Sequence, residues 1–461
     1  MRRFHLILLA IALCGLGLRI GAVTGENARF SPTGYDDGVY YSASALLLRG
    51  VLPYRDFVFV HPPALLYVLA ATSWMPDPAI GFAAARVLAG LAGAASIVLL
   101  GLIVARASTP AGGLVAALLY AVYPDAVVAE RSPYLEPFLN LFCLLSAWLW
   151  LSRRDDGSVR RPFVAGVAAG LACAVKLWAG VWVIAAVLAV GRRHFRDALL
   201  FVAGGAAAGI LALAPLALPA PRAFFEQTLR FQLSRPPDGV MEVAGRLRDI
   251  AGSGHRAATA LALIALVLIV VRRQLAPAQR FFAIAMLLTV AGFLASSSYW
   301  NHYNSHLAAS QCAMAGLGAA MLVGFLPRRR GLATAVLMVV AIAVDYGTIR
   351  GMARGMRGRS PELMTAAHVI EQNVPKGARF FAFDPSWSLI TSRLPDCCDG
   401  APPVVDSYGL MLLNAVQGGR TFPDTGQAFR GGAPQPEMRA RLGASEFVLL
   451  GGRGQWQLDE P

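Results

Sequence analysis

The residues with chemistry to offer fall in four short stretches. The first reads Tyr35-Asp36-Asp37-Gly38-Val39-Tyr40-Tyr41, followed by Tyr54-Arg55-Asp56-Phe57 and His61-Pro62-Pro63. The second holds Glu130, Arg131, Tyr134 and Glu136; the third is Lys176, alone in a long apolar stretch; the fourth is Ser298-Tyr299-Trp300-Asn301-His302-Tyr303-Asn304-Ser305-His306. Carboxylates of this kind suit a base that deprotonates a hydroxyl. Cations near a lipid surface suit an anionic lipid phosphate. Each residue also has a plainer reading. Asp36 can cap an amphipathic helix over 37–48, Glu136 is favoured at the N-terminus of an apolar helix over 135–151, and a loop histidine is more often a surface residue than a ligand. Against that, a cap needs no second Asp beside it, and ionisable groups in apolar surroundings face cavities rather than lipid.

The elements that must position these groups cross a membrane. Of the 461 residues 56% are hydrophobic and 15% charged, with a mean hydropathy of +0.54, which excludes an ordinary soluble domain, a disordered chain and collagen. Runs such as 80–105, 199–218 and 305–326 are nearly free of charge and read as membrane spans. The net charge of +14 comes from 41 Lys and Arg against 27 Asp and Glu. Because the arginines sit in short clusters between apolar runs, they report topology rather than nucleic-acid binding. The six cysteines form no spaced framework of disulfides or zinc ligands.

Placing every arginine cluster in the cytoplasm predicts about eleven spans: 4–24, 80–104, 110–124, 134–152, 162–176, 178–191, 198–217, 258–271, 280–297, 306–326 and 331–347. The first is read as a retained span and not a cleaved signal. The stretch 163–191 is read as a short hairpin with Lys176 at its outer tip, since one long span would turn three later arginine clusters outward. Gly166/Gly170 and Gly205/Gly209 have the spacing of close helix contacts. The expected architecture is therefore an all-α polytopic membrane domain over 1–347, with a first outer loop at 26–79. A small α/β domain follows over 348–461, outside the membrane: a helix at 362–373 and strands at 379–384 and 446–450. The N-terminus is expected inside the cell or inner membrane and the tail outside, where the four stretches would meet.

The acidic pair after the first span, Tyr40, His61-Pro62-Pro63, the acidic start of the fourth span, the Lys176 hairpin and His302-Tyr303 together resemble the polyprenyl-phosphate-sugar glycosyltransferases of the GT-C fold. That group includes the dolichyl-phosphate-mannose protein mannosyltransferases and the bacterial lipid A aminoarabinose transferases. The resemblance spans residues 1–347 in layout. The pair is Asp-Asp where many members show Asp-Glu, and the tail resembles the small outer domains of actinobacterial members.

The resemblance implies transfer of a sugar from a polyprenyl-phosphate donor in the membrane to a hydroxyl of an extracytoplasmic lipid, glycan or protein, with inversion. A lipid phosphate is already a good leaving group, so one carboxylate base and cations for the departing phosphate suffice. By position Asp36 is the base. Asp37 and Glu136 orient the acceptor or hold a metal with Asp36, for which Mg²⁺ or Mn²⁺ would suit an all-oxygen site. Lys176, His302, Tyr303, His61, Arg131 and Tyr40 contact donor and phosphate. The competing class is a lipid or solute transporter without covalent chemistry. Transporters often show internal repeats with paired broken helices, and no repeat stands out here.

Overall fold

The computed structural model describes residues 2–23, 29–31, 34–152, 159–189, 194–252, 254–273, 275–355, 360–397, 400–431 and 435–458. Arg153, Arg154, Arg192 and Arg193 of the arginine clusters, and Cys398, lie outside them. The chain is mostly helical. In order come α1 (Arg2–Ile20), α2 (Tyr35–Leu48), α3 (Ala64–Ser73), α4 (Pro78–Ala107), α5 (Pro110–Ala121), α6 (Pro124–Ala129), α7 (Glu136–Leu151), α8 (Arg160–Val175), α9 (Gly180–Ala189) and α10 (Phe195–Ala217). A broken stretch follows, α11 (Pro221–Phe225), a π-helical turn and α12 (Phe231–Ser234). Beyond it lie α13 (Val243–Gly252), α14 (Arg256–Arg272), α15 (Pro277–Ala295), α16 (Asn304–Gly324), α17 (Arg330–Val344) and α18 (Tyr346–Gly355).

Several starts follow one rule, an oxygen-bearing cap ahead of a proline whose missing N–H costs nothing there. Asp77 accepts from Ala79 N before Pro78, and Thr109 from Gly112 N before Pro110. Every apolar segment anticipated as a span holds a helix. Among the described residues five helices are long and apolar enough to cross a bilayer: α1 with the turn after it, α4, α10, α15 and α16 with the turn before it. Counting the bent pairs α13–α14 and α17–α18 as spans raises the number to seven, and α5, α7 and α9 are apolar but shorter. The chain is thus a multi-pass membrane protein.

α16 runs through the centre and is almost wholly buried. It meets α5 backbone to backbone: a Cβ on Gly316 would stand 2.5 Å from the Gly112 carbonyl oxygen. α8 meets α10 in the same way at Gly166 and Gly170, whereas a Cβ on Gly209 would touch nothing within 4 Å. Arg19 of α1 is fully buried against Glu130 (Nε to Oε2, 2.5 Å), and Glu130 also accepts from the Tyr120 hydroxyl at 2.6 Å.

The α8–α9 stretch reverses direction. Arg161 at the start of α8 donates to the carbonyl of Ser152 just past α7, and Trp150 near the end of α7 packs on Phe201 near the start of α10, ring centroids 4.7 Å apart. α8 and α10 therefore begin at the same end of the bundle, and α9 must carry the chain back. Lys176, in extended backbone, breaks the helix at the far end. Within the outer segment expected at 26–79, α2 and α3 form a packed layer that buries Tyr41, Leu46, Leu65, Leu66 and Leu69.

After α18 come α19 (Pro361–Asn373), strand β1 (Phe380–Ala382), α20 (Pro385–Ile390), α21 (Ser407–Val416), α22 (Thr425–Gly431), α23 (Pro436–Ala444), β2 (Phe447–Leu449) and α24 (Gly451–Leu458). Here β1 pairs in parallel with β2. Phe381, Phe383, Leu410, Met411 and Met438 form a core of their own. Leu389, Val405, Tyr408, Leu412 and Val416, however, belong to the same buried cluster as the apolar helices. The tail is packed onto the bundle at the end where α2 begins.

Candidate active site

At that end a cavity of about 230 Å³ gathers residues from all the stretches that could do chemistry. Asp36, Tyr40, His61, Lys176, His302 and Tyr303 line it. The Asp36-Asp37-Gly38 sequence divides its labour by helical rotation. α2 begins at Tyr35 with Gly34 as its cap and no capping side chain, so both aspartates lie in the first turn and Asp36 is not the cap. Asp36 is half-buried, faces the cavity and has no hydrogen-bond or ion-pair partner among the described residues. Gly38 faces away, where a Cβ would collide at 2.5 Å with the backbone nitrogen of Ser386; this lets α20 of the tail lie directly on α2. Gly34 is needed for a similar reason, since a Cβ there would overlap the Tyr134 hydroxyl.

Asp37 does not reach the cavity. It is fully buried, 3.9 Å from Arg86 of α4, and Oδ1 accepts from Gly38 N at 2.8 Å and from the Ser386 hydroxyl at 3.4 Å. Burial pushes its carboxyl up to about 6 in spite of Arg86. Its expected part in orienting the acceptor is thus corrected: it ties α2 to α4 and α20. Glu136 is also turned inward, receiving Lys176 Nζ at 2.6 Å, and does not line the cavity. Lys176 keeps one side on the cavity, with Nζ 4.1 Å from the centre of the Tyr303 ring. Arg131 is a further correction. It leaves the site to donate to the carbonyls of Leu18 (2.9 Å) and Met352 (3.0 Å), because the last carbonyls of α1 lack intrahelical partners.

His61 stands edge-on to Tyr40 at 5.6 Å, and burial, with Lys176 and Arg235 nearby, lowers its pKa to about 3. His302 stacks on Tyr134 at 5.4 Å. His61 is thus a neutral ring in the site. His306 lies deeper and bonds Asn140 at 3.1 Å.

The remaining walls escaped the sequence reading. Arg235, in a Ser-Arg-Pro-Pro-Asp-Gly turn, is ion-paired to Asp238 and adds a second cation. Asp406, Tyr408 and Arg453 reach in from the tail. Tyr408 donates to Asp238 at 2.7 Å, and the Arg453 guanidinium lies 4.4 Å from the centre of the Tyr35 ring. Arg235 carries a signal that was available, an arginine in a Pro-Pro turn of an expected outer loop; the tail residues sit in no motif.

A second cavity of about 260 Å³ shares His61, Lys176, Arg235 and Tyr303 with the first. A third, of about 390 Å³, shares Pro62, Leu177 and Thr228 with the second and is walled mainly by apolar residues of α8, α10 and α11. The three adjoin in series, from a carboxylate, past two cations, to an apolar groove. Of the three carboxylates that could share a metal ion, Asp37 lies 3.9 Å from Arg86 and Glu136 is bonded to Lys176. Among the described residues no group of three His, Cys, Asp or Glu side chains is placed to hold a metal ion.

Residues 60–218 match the profile of the dolichyl-phosphate-mannose-protein mannosyltransferase family. In fold the chain is similar to ArnT from Cupriavidus metallidurans bound to undecaprenyl phosphate, with a TM-score of 0.63 at 14% identity over 93% of this chain and 90% of that one. It is also similar to the Archaeoglobus fulgidus oligosaccharyltransferase tethered with an acceptor peptide, with a TM-score of 0.59 at 13% identity over 88% of this chain and 64% of that one. No curated protein sequence matches it.

Proposed function

We propose that this chain, which has the GT-C fold of the glycosyltransferases that use lipid-linked donors, moves a sugar from a polyprenyl-phosphate carrier to an acceptor hydroxyl. The observation that carries this reading is a series of three cavities with shared walls, in which carboxylate, cations and apolar groove follow in the order sugar, phosphate and prenyl tail. In it Asp36 takes the proton of the acceptor hydroxyl. The freed oxygen attacks C1 of the donor sugar, the C1–O bond to phosphate breaks, and polyprenyl phosphate leaves with the electron pair. Attack opposite the leaving group inverts C1. Lys176 and Arg235 hold the phosphate as its charge grows, and Tyr40, Tyr303 and the rings of His61 and His302 supply hydrogen bonds. Glu136 acts through Lys176, and Asp37 holds α2 against α4 and α20.

The proposed setting is a cell or inner membrane with about eleven spans, the short helices completing theirs within protein-packed surroundings. Arg106, Arg161, Arg272, Arg280 and Arg328 all sit at helix ends away from the cavity, which supports a cytoplasmic N-terminus and a tail domain (348–461) outside.

The test supplies a labelled polyprenyl-phosphate sugar and an envelope fraction as acceptor to membranes containing the protein. Asp36→Asn is expected to bind donor and to lose ~10²–10⁴ in its consumption. Full turnover in that variant removes Asp36 as the base. A sugar–lipid bond that stays intact with wild-type protein removes the transferase reading in favour of transport.

A further inference from the structure

A cleft of about 470 Å³ adjoins the Asp36 cavity and shares Trp300 and Arg453 with it. The shared wall is not the one that faces the phosphate: the cleft contains none of His61, Lys176, Arg235 or Tyr303. Apart from Trp300 it is built from the tail, with Trp387 and Asp384 at the start of α20 and Gly451, Gly452 and Arg453 at the start of α24. A group in this cleft would reach the Asp36 cavity past Trp300 and Arg453 and not past Lys176 and Arg235.

The lining has the chemistry of a carbohydrate site. Indole faces pack on the C–H faces of a sugar ring, while a carboxylate and a guanidinium take its hydroxyls. Asp384 is held in place because Oδ1 accepts from Ser386 N at 3.0 Å, and Arg453 is fixed over the ring of Tyr35, next to Asp36. The rim is open: a Cβ on Gly451 or Gly452 would touch nothing within 4 Å. The volume lies in the ~300–1,000 Å³ range of small-molecule sites.

We propose that this cleft is the acceptor subsite and that the acceptor is a glycan, so that the hydroxyl deprotonated by Asp36 belongs to a sugar. The proposal rests on the glycosyl-transfer reading above. It places a sugar on each side of Asp36, the donor's towards the cations and the acceptor's towards the two indoles.

The test uses the full chain in detergent and ligand-observed NMR with methyl glycosides of the common hexoses and pentoses and their disaccharides. Undecaprenyl phosphate is titrated in parallel. At least one saccharide is expected to bind saturably. Trp387→Ala should weaken it about tenfold, as should Gly452→Trp, which fills the cleft. Undecaprenyl phosphate affinity should stay within about twofold in both variants. If Trp387→Ala unfolds, Gly452→Trp alone decides, since it removes no contact. No saccharide binding at tens of millimolar, or binding undiminished by Gly452→Trp, overturns the proposal. A wild-type protein that binds saccharide in the cleft but not undecaprenyl phosphate keeps the sugar site and overturns the transferase reading beneath it.

Discussion

Tyr35, the residue before Asp36, donates its hydroxyl to the carboxylate of Asp406 at 2.9 Å, across 371 positions of chain. The same oxygen accepts from the backbone nitrogen of Tyr408 at 3.0 Å. Tyr408 in turn donates to Asp238, the partner of Arg235. One turn of the tail, the start of α21, thus grips both the helix that bears the proposed base and the cation proposed for the phosphate. Asp406 also caps α21 by accepting from Gly409 N at 2.7 Å, so the cap and the grip are one group.

Tyr35→Phe removes the hydroxyl and leaves a buried carboxylate and a buried N–H each short of one partner. The expected cost is ~1–3 kcal/mol in thermal unfolding. If the grip positions Asp36, kcat should fall several-fold while donor affinity, set by Lys176 and Arg235, is kept. A lower melting temperature with kcat unchanged would reduce the tail to a structural cover.

The apolar runs and the arginine rhythm made the helices legible, because burial in lipid demands long uncharged segments. Asp36, Lys176 and His302 were legible for the complementary reason that charge and polarity there need a cavity. Asp37 and Arg131 misled because sequence shows a residue's type and not its azimuth: one position around α2 separates a free carboxylate from one locked to Arg86. Asp406 and Arg453 were invisible, since their proximity to Asp36 is created by the tail folding back over more than 300 residues. No local pattern encodes such a contact.

Lys176 and Glu136 are bonded at 2.6 Å with little exposure on either side. Lys176→Met strands the carboxylate, and a loss of ~3–5 kcal/mol is expected. The double variant Lys176→Met/Glu136→Gln should regain most of that stability without regaining donor affinity. A double-mutant cycle in thermal unfolding, run beside undecaprenyl phosphate titration, separates the two effects. Recovery of both would remove Lys176 from the phosphate site.

Orientation is open to a direct check. A reporter fused after Pro461 is expected to be active only outside the cytoplasm, and one fused after Arg330 only inside it. A reversed result at Arg330 would put the α17 end of the bundle outside and undo the shared outer face on which the donor path is drawn.

Asp37 yields a pH dependence with a definite sign. Its carboxyl ionises near 3.8 in the unfolded chain and near 6 in the folded one, chiefly because burial disfavours the charge. Between those values the native state keeps a proton that the unfolded state has released. The contribution is therefore complete below about pH 4 and is lost as pH rises through 6. Wild-type thermal stability should decline over this window relative to Asp37→Asn, which cannot ionise. Near pH 7.5 the variant should be at least as stable, by up to ~3 kcal/mol. Since Asp37 faces Arg86 and not the cavity, the variant should also keep donor consumption within a few-fold of wild type. A folded Asp37→Asn protein without turnover would return the second aspartate to the chemistry and would require α2 to rotate when substrate binds.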